Sequence, residues 1–395
     1  MDSLDELMQA AVNDGTAPGV VVLAKDREGK VDIAKAFSSE NGTLYTLDTA
    51  MMISSMSKFP TSVAALQLVD QGLITLDEDL SPLLPSLAAQ GILTSVADDG
   101  APAVRPRQNP ITLRHLLSHS SGVGYHFLDK RLGKVRAWQQ KQRESASPPS
   151  GTVEESCDLP LLFEPGEGWA YGFGLDWVGP LVEKLAGGVS LEDFMRRNIW
   201  EPLGVSSSTF FPDQHPDISA RRVPMAFRAS DGGPAVEKPG APSVADGLKV
   251  CFGGHGLYAS MADCFRIADS LLVNDEKLLR RETVEEMFRP QLTPASRAEL
   301  RRFMDTSDMQ MLFPSPPIDR DYGLGGLLIA EDGHEYFRRG AMMWGGAANL
   351  NWFIDRAAGV CGVFGSQVMP PGDAKMRKLI NAFQAEVYRR AAKVS

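Results

Sequence analysis

Apolar and polar residues follow matching rhythms at the two ends of this chain. Ser3-x-x-Glu6 has the form of a capping box, and Leu4, Leu7, Met8 and Ala11 follow at helical spacing, so the chain opens on an amphipathic helix. Beyond Pro18-Gly19, the apolar run Val20-Val21-Val22-Leu23-Ala24 suits a buried strand, and the polar turn Lys25 to Lys30 leads to a second one. Near the other end the order reverses. Asn351 to Ile354 and Val360 to Gly365, joined by a turn from Asp355 to Gly359, predict a β-hairpin. After Pro370-Pro371-Gly372, a helix carries Met376, Leu379, Ile380, Phe383 and Val387 on one face. The two ends are thus expected to build one antiparallel sheet flanked by helices, with the middle of the chain as a helical second lobe. That is an α+β layout. The expected organisation is one catalytic domain over 1–395, with a sheet lobe from roughly 1–50 and 250–395 and a helical lobe from roughly 51–249.

The middle begins with Ile53-Ser54-Ser55-Met56-Ser57-Lys58, running into the apolar segment Phe59 to Leu66. Residues three apart on a helix share a face, with Cβ atoms about 5–6 Å apart, so Ser55 and Lys58 are within reach of each other. A serine hydroxyl needs a base to become a nucleophile, and a lysine serves when burial weakens its hold on the proton. At the start of a helix, backbone N–H groups also oppose developing negative charge. Pro60 would remove a hydrogen bond from a helix starting at Ser55, so the helix is expected nearer Phe59, after a tighter turn over Ser55 to Lys58. Alone, the pair also fits an ordinary helix start with an incidental lysine.

Further along, Ile111 to Gly122 reads as a compact helix with a glycine stop. His115 and His119 lie four apart, as a metal pair would, but no Glu follows His115 and no third ligand is evident, so they read as structural histidines. Residues 126–150 read as an insertion: Lys130, Arg131, Lys134, Arg136, Lys141 and Arg143 crowd one stretch before a Ser/Pro loop, Ser145 to Ser150. This is either a solvated helix face or a dock for an acidic partner. Phe163 to Gly172 is a turn-rich loop that delivers Tyr171 just before an apolar helix, Leu175 to Leu185. Gly253 to Ser260 leads into a helix from Met261 to Leu272, and Met343 to Asn349 precedes the closing hairpin.

Composition narrows the function. The 395 residues are 43% hydrophobic and 23% charged, enough apolar material for a large core. A net charge of −10 argues against a nucleic-acid binder. No apolar run reaches the ~18 residues of a membrane span. The acidic start Met1 to Glu6 does not resemble a signal peptide, so a cytoplasmic location is expected. Cys157, Cys251, Cys264 and Cys361 show no C-x-x-C spacing, and neither a zinc site nor a disulfide framework is indicated.

Taken in order, Ser55-Met56-Ser57-Lys58, the Ile111 to Gly122 block, Pro165-Gly166-x-x-Trp169-x-Tyr171, the Gly253 to Ser260 turn and Trp344-Gly345-Gly346 resemble the serine β-lactamase and penicillin-binding-protein superfamily. The likeness is strongest to its class-C-like esterase and acyltransferase branch. Tyr171-Gly172-Phe173-Gly174-Leu175-Asp176-Trp177 looks like the fungal acyltransferases of polyketide pathways of the statin type. The resemblance implies an active site between the sheet and a helical lobe. It makes Ser55 the nucleophile, Lys58 and Tyr171 the proton-handling pair, and the N–H groups of Ser55 and Ala347 the oxyanion hole. Trp344, Gly345, Gly346 and Phe173 would contact substrate, and no metal or organic cofactor is required. Two departures matter: Phe173 stands where many relatives carry the Asn of Tyr-x-Asn, and Trp344-Gly345-Gly346 stands where lactamases carry Lys-Thr-Gly, so β-lactam binding should be poor. The expected reaction moves an acyl group from a thioester or ester donor to an alcohol of a polyketide-like acceptor. An acyl carrier protein domain is an expected partner, through the basic residues 130–143. A carboxylesterase and a catalytically dead binding protein of the same fold are the alternatives.

Overall fold

The computed structural model of the chain describes residues 3–143, 151–229, 232–241, 243–306 and 318–392. Helix α1, Leu4–Asn13, is closed at its start by the reciprocal Ser3 and Glu6 capping bonds and buries Leu4, Met8, Ala11 and Val12. Leu7, expected on that buried face, is 36% exposed; the buried stripe passes through Val12 instead.

The central sheet has seven strands: β1 Gly19–Asp26, β2 Asp32–Ser38, β3 Arg320–Tyr322, β4 Leu327–Ile329, β5 Met342–Gly346, β6 Leu350–Asp355 and β7 Val360–Gly365, in the order β2-β1-β7-β6-β5-β4-β3. Every neighbouring pair is antiparallel. The two ends of the chain meet where β1 pairs with β7, Val22 opposite Phe364. Every residue of β6 and β7 is buried, because helices cover both faces. Two glycines of β7 show which helix covers which face. A Cβ on Gly362 would lie 3.1 Å from Phe383 of the C-terminal helix Ala374–Ala392, and one on Gly365 would lie 2.3 Å from Met261, in the helix Met261–Val273. Positions three apart on a strand point to opposite faces, so these two helices sandwich the sheet.

The middle of the chain contributes α2 Lys58–Asp70, α3 Leu113–Leu117, α4 Lys130–Arg143 and α5 Gly174–Leu185. From Lys58 to Leu68, α2 is buried on all sides, as suits a helix apolar all round. It packs against α5. A 3-10 turn over Ser54–Ser57 leads into α2, so Pro60 falls in the first helical turn, where its missing N–H has no intrahelical partner to lose. Continuing in chain order, α6 is Met261–Val273, α7 is Pro294–Thr306 and α8 is Ala374–Ala392.

The expected helical lobe is not purely helical. Ile92–Val96 and Pro102–Arg105 form a hairpin, closed by Asp99-Gly100 with Gly100 at φ +98°. Ala226–Arg228 lies between Ala235–Glu237 and Val368–Met369, tying the middle of the chain to its end. The Ser/Pro loop Ser145 to Ser150 lies outside the described residues. Among the described residues, no helix is long and apolar enough to cross a membrane.

Candidate active site

Ser55 sits on the 3-10 turn, directly after Ser54, whose φ of +49° is costly for a residue with a side chain. The surroundings hold this conformation in place. Ser54 donates to Met52 Sδ through N at 3.2 Å and Oγ at 3.1 Å, and Ser57 Oγ donates to the Ser54 carbonyl at 2.6 Å. The same Ser57 oxygen accepts from Leu257 N at 3.1 Å, fixing the turn to the glycine-rich segment 253–257. Met51–Met52 pairs with Tyr258–Ala259 on the same two segments.

The turn presents Ser55 to a cavity of about 520 Å³. Tyr171, Phe173, Trp344, Gly345, Gly346 and Ala347 line the same cavity, so the structure gathers the residues expected there. Gly346 explains how β5 comes so near the serine: a Cβ at this position would fall 2.3 Å from the Ile53 carbonyl oxygen. Ala347, next along the chain, and Ser55 both line this cavity. Gly172 allows a similar close approach beside Tyr171. A Cβ there would meet the Val123 carbonyl at 2.1 Å, and Tyr125 N donates to Tyr171 O at 3.2 Å across the contact.

Lys58, 1% exposed, lies between two tyrosines. Its Nζ donates to the Tyr125 hydroxyl at 2.8 Å and to the Gly254 carbonyl at 2.7 Å. It stands 5.3 Å from the Tyr125 ring centre and 4.9 Å from that of Tyr171. The Tyr171 hydroxyl accepts from Trp344 Nε1 at 3.2 Å. The direct lysine–phenol hydrogen bond is therefore to Tyr125, not to Tyr171, the partner expected from the sequence. Burial, and then the Asp176 charge, push the Tyr125 hydroxyl well above the ordinary phenol range. Tyr125 stays a neutral phenol, fit to orient Lys58, and Tyr171 lines the cavity beside Ser55.

Three further residues were missed in the sequence. Tyr125 follows Gly122-Val123-Gly124, a glycine spacing resembling Tyr171-Gly172-Phe173-Gly174, and that parallel was a usable signal. Asp176, in the first turn of α5, is fully buried. Its Oδ1 accepts from Gly254 N at 2.8 Å and lies 3.0 Å from His255 Nδ1. It thus holds by its N–H the residue whose carbonyl receives Lys58. Nothing in the local sequence marks that carboxylate, because its partners come from a segment about eighty residues away. The third, Arg377 on α8, lines the same cavity as Ser55.

His119, in the left-handed region at φ +59°, is buried behind Tyr171. Its ring meets Tyr171 edge-on at 4.9 Å and Tyr322 at 5.4 Å. Burial, reinforced by the Lys58 charge, holds it well below the usual imidazole pKa, so it is neutral. Among the described residues, no group of three or more metal-ligating side chains comes together.

The basic helix α4 divides between inside and outside. Leu132 and Val135 are buried, and so is Arg136, which donates to the Ser156 carbonyl. Arg131 pairs with Asp129 at 2.8 Å, while Lys130, Lys134 and Lys141 face solvent. Phe127, 66% exposed, stacks on Tyr125 at 4.7 Å and lines the cavity close to the start of α4.

Comparison with known proteins agrees with this geometry. A family model described as beta-lactamase matches residues 4–386. A lovastatin esterase of Penicillium rubens is 40% identical, over 98% of this chain and 98% of its own length. A monacolin J acid methylbutanoyltransferase of Aspergillus terreus is 35% identical, over 98% of this chain and 95% of its own length. The unliganded simvastatin synthase LovD of Aspergillus terreus superposes with a TM-score of 0.89 at 33% identity, covering 98% of this chain and 97% of that one. The chain belongs to the beta-lactamase family and, within it, to the branch of esterases and acyltransferases.

Proposed function

We propose that this enzyme transfers an acyl group from a thioester or ester donor to an alcohol of a polyketide-like acceptor, through an ester on Ser55. One observation carries the reading: Ser55 opens into a single cavity of about 520 Å³ with apolar walls that include Met52, Met225, Phe227, Leu350 and Ile380. Cavities of roughly 300–1,000 Å³ hold ligands of drug size, and apolar walls suit a fused-ring or acyl-chain substrate. The relatives act on such molecules by their names, lovastatin and monacolin J acid. They are enzymes, so the alternative of a dead binding protein gives way.

In the first half-reaction Ser55 Oγ attacks the donor carbonyl and gives its proton to the Lys58 and Tyr171 pair. The leaving thiolate or alkoxide takes that proton back from the pair as the bond to the acyl carbon breaks, which leaves the pair free to accept again. The N–H groups of Ser55 and Ala347 oppose the oxyanion, each worth about 2.7–4 kcal/mol of barrier. In the second half the acceptor hydroxyl attacks the Ser55 ester, Tyr171 accepts the hydroxyl proton, and Ser55 leaves reprotonated.

The 40% identity to an esterase favours a second reading, in which water replaces the acceptor. A chase separates them. With a thioester donor and saturating alcohol in buffered water, chromatography should find mostly new ester. Free acid alone, at every acceptor concentration, identifies a hydrolase.

The exposed Lys130, Lys134 and Lys141 along α4, whose start follows the cavity-lining Phe127, support an acidic acyl carrier protein domain as donor, with the enzyme working in the cytoplasm. Arg136 is buried and takes no part in such a surface. Reversing Lys134 and Lys141 to Glu should raise KM for a carrier-bound donor and spare a small thioester. Equal effects on both donors would remove the carrier from the account.

A further inference from the structure

We infer that the cavity recognises a carboxylate on its acceptor, received by Arg377 with Asn381 on α8. The inference rests on the proposed function for which cavity the acceptor occupies. Ile380 and Asn381 each lie three or four residues from both Arg377 and Gln384, and all four line the cavity. They form one stripe of α8, facing the same space as Ser55.

The polar groups of that stripe are not alike. Gln384 Nε2 donates to Asn351 Oδ1 at 2.8 Å, and Asn351 Nδ2 donates to the Trp344 carbonyl at 3.2 Å, so these amides hold each other and β5. Arg377 and Asn381 have no side-chain hydrogen bond or ion pair among the described residues. The carboxylate one turn before Arg377 is already taken: Asp373 Oδ2 accepts from Arg228 Nε at 2.5 Å, and its Oδ1 accepts from Met376 N at 2.9 Å. Among the described residues lining the cavity there is no Asp or Glu at all. A half-buried arginine in a largely apolar cavity without a carboxylate is left to a ligand. Its planar fork of donors fits a carboxylate through two parallel hydrogen bonds, and the Asn381 amide adds a neutral donor on the same helix face. Ser55 and Arg377 then define the two ends of the acceptor: the hydroxyl that receives the acyl group and the acid that fixes its direction.

The test is equilibrium binding, which needs no turnover. Monacolin J acid and its methyl ester are titrated into the wild-type protein and into Arg377→Met by calorimetry. The wild type should bind the acid at least about tenfold more tightly than the ester, the size of one hydrogen bond to a charged group. Arg377→Met should bind the two alike. Arg377→Lys keeps the charge without the fork and should recover part of the preference. Equal binding of acid and ester by the wild type, or a preference that survives in Arg377→Met, overturns the inference. Failure of the proposed function shows elsewhere, as the absence of an acyl group on Ser55, and leaves this binding comparison readable.

Discussion

Lys58 Nζ donates to the Tyr125 hydroxyl at 2.8 Å, while the Tyr171 hydroxyl takes its hydrogen bond from Trp344. The two tyrosines flank one lysine but are held for different work. Tyr125 orients the lysine as a neutral phenol, and Tyr171 is the group proposed to move the proton. Tyr171→Phe should therefore lose about 10²–10⁴ in kcat, as for a general acid–base group. Tyr125→Phe should lose only about ten- to a hundredfold, one hydrogen bond to a charged group. Steady-state kinetics with one thioester donor rank the two, and the reverse order would move the base to Tyr125.

Gly346 lets β5 close on the serine turn, with only 2.3 Å between a Cβ there and the Ile53 carbonyl. Gly346→Ala should push Ala347 away from Ser55 and slow acylation by about 10²–10³, the loss of one oxyanion donor. Single-turnover acylation followed by mass measures this step apart from release. A rate within a few-fold of wild type would show that the strand can move without cost and that Ala347 is not a donor.

The neutral His119 ties stability to pH. In the folded chain its pKa lies well below the ordinary 6.5, first through burial and then through the Lys58 charge. In the unfolded chain it titrates near 6.5, so between those values the unfolded state binds more protons and acid favours unfolding. The stability is whole above about pH 6.5 and falls below it, by up to about 1.4 kcal/mol per pH unit for one proton. His115, also lowered by burial, acts in the same direction. Urea midpoints at several pH values should show this slope. His119→Asn, which tolerates a left-handed backbone, should flatten it by about one proton. An unchanged slope in the variant would place the proton uptake on another group.

Much of this site was legible because its chemistry is local. Ser55 and Lys58 are three residues apart, and the glycines beside Tyr171 and Trp344 are required by contacts that leave no room for a side chain. Pro60 marked where the helix could begin. The sheet was readable from the apolar runs at both ends, since β1 and β7 pair along their length. What stayed hidden depends on distant segments meeting. Lys58 donates to Tyr125 and Gly254, the Gly254 N–H is held by Asp176, and α8 brings Arg377 to a cavity shared with Ser55, more than three hundred residues earlier. The basic stretch misled for a similar reason. Arg136 looked like its neighbours in sequence, but helical spacing turns it inward beside Val135.

The central claim is a covalent acyl group on Ser55. The purified protein is mixed with a short acyl thioester and its intact mass recorded within seconds, beside Ser55→Ala. The native protein should gain one acyl mass, located on Ser55 by peptide mapping, and the variant should gain none. An acyl mass on Ser55→Ala, or thioester consumed with no mass gained by the native protein at any time, would contradict the mechanism.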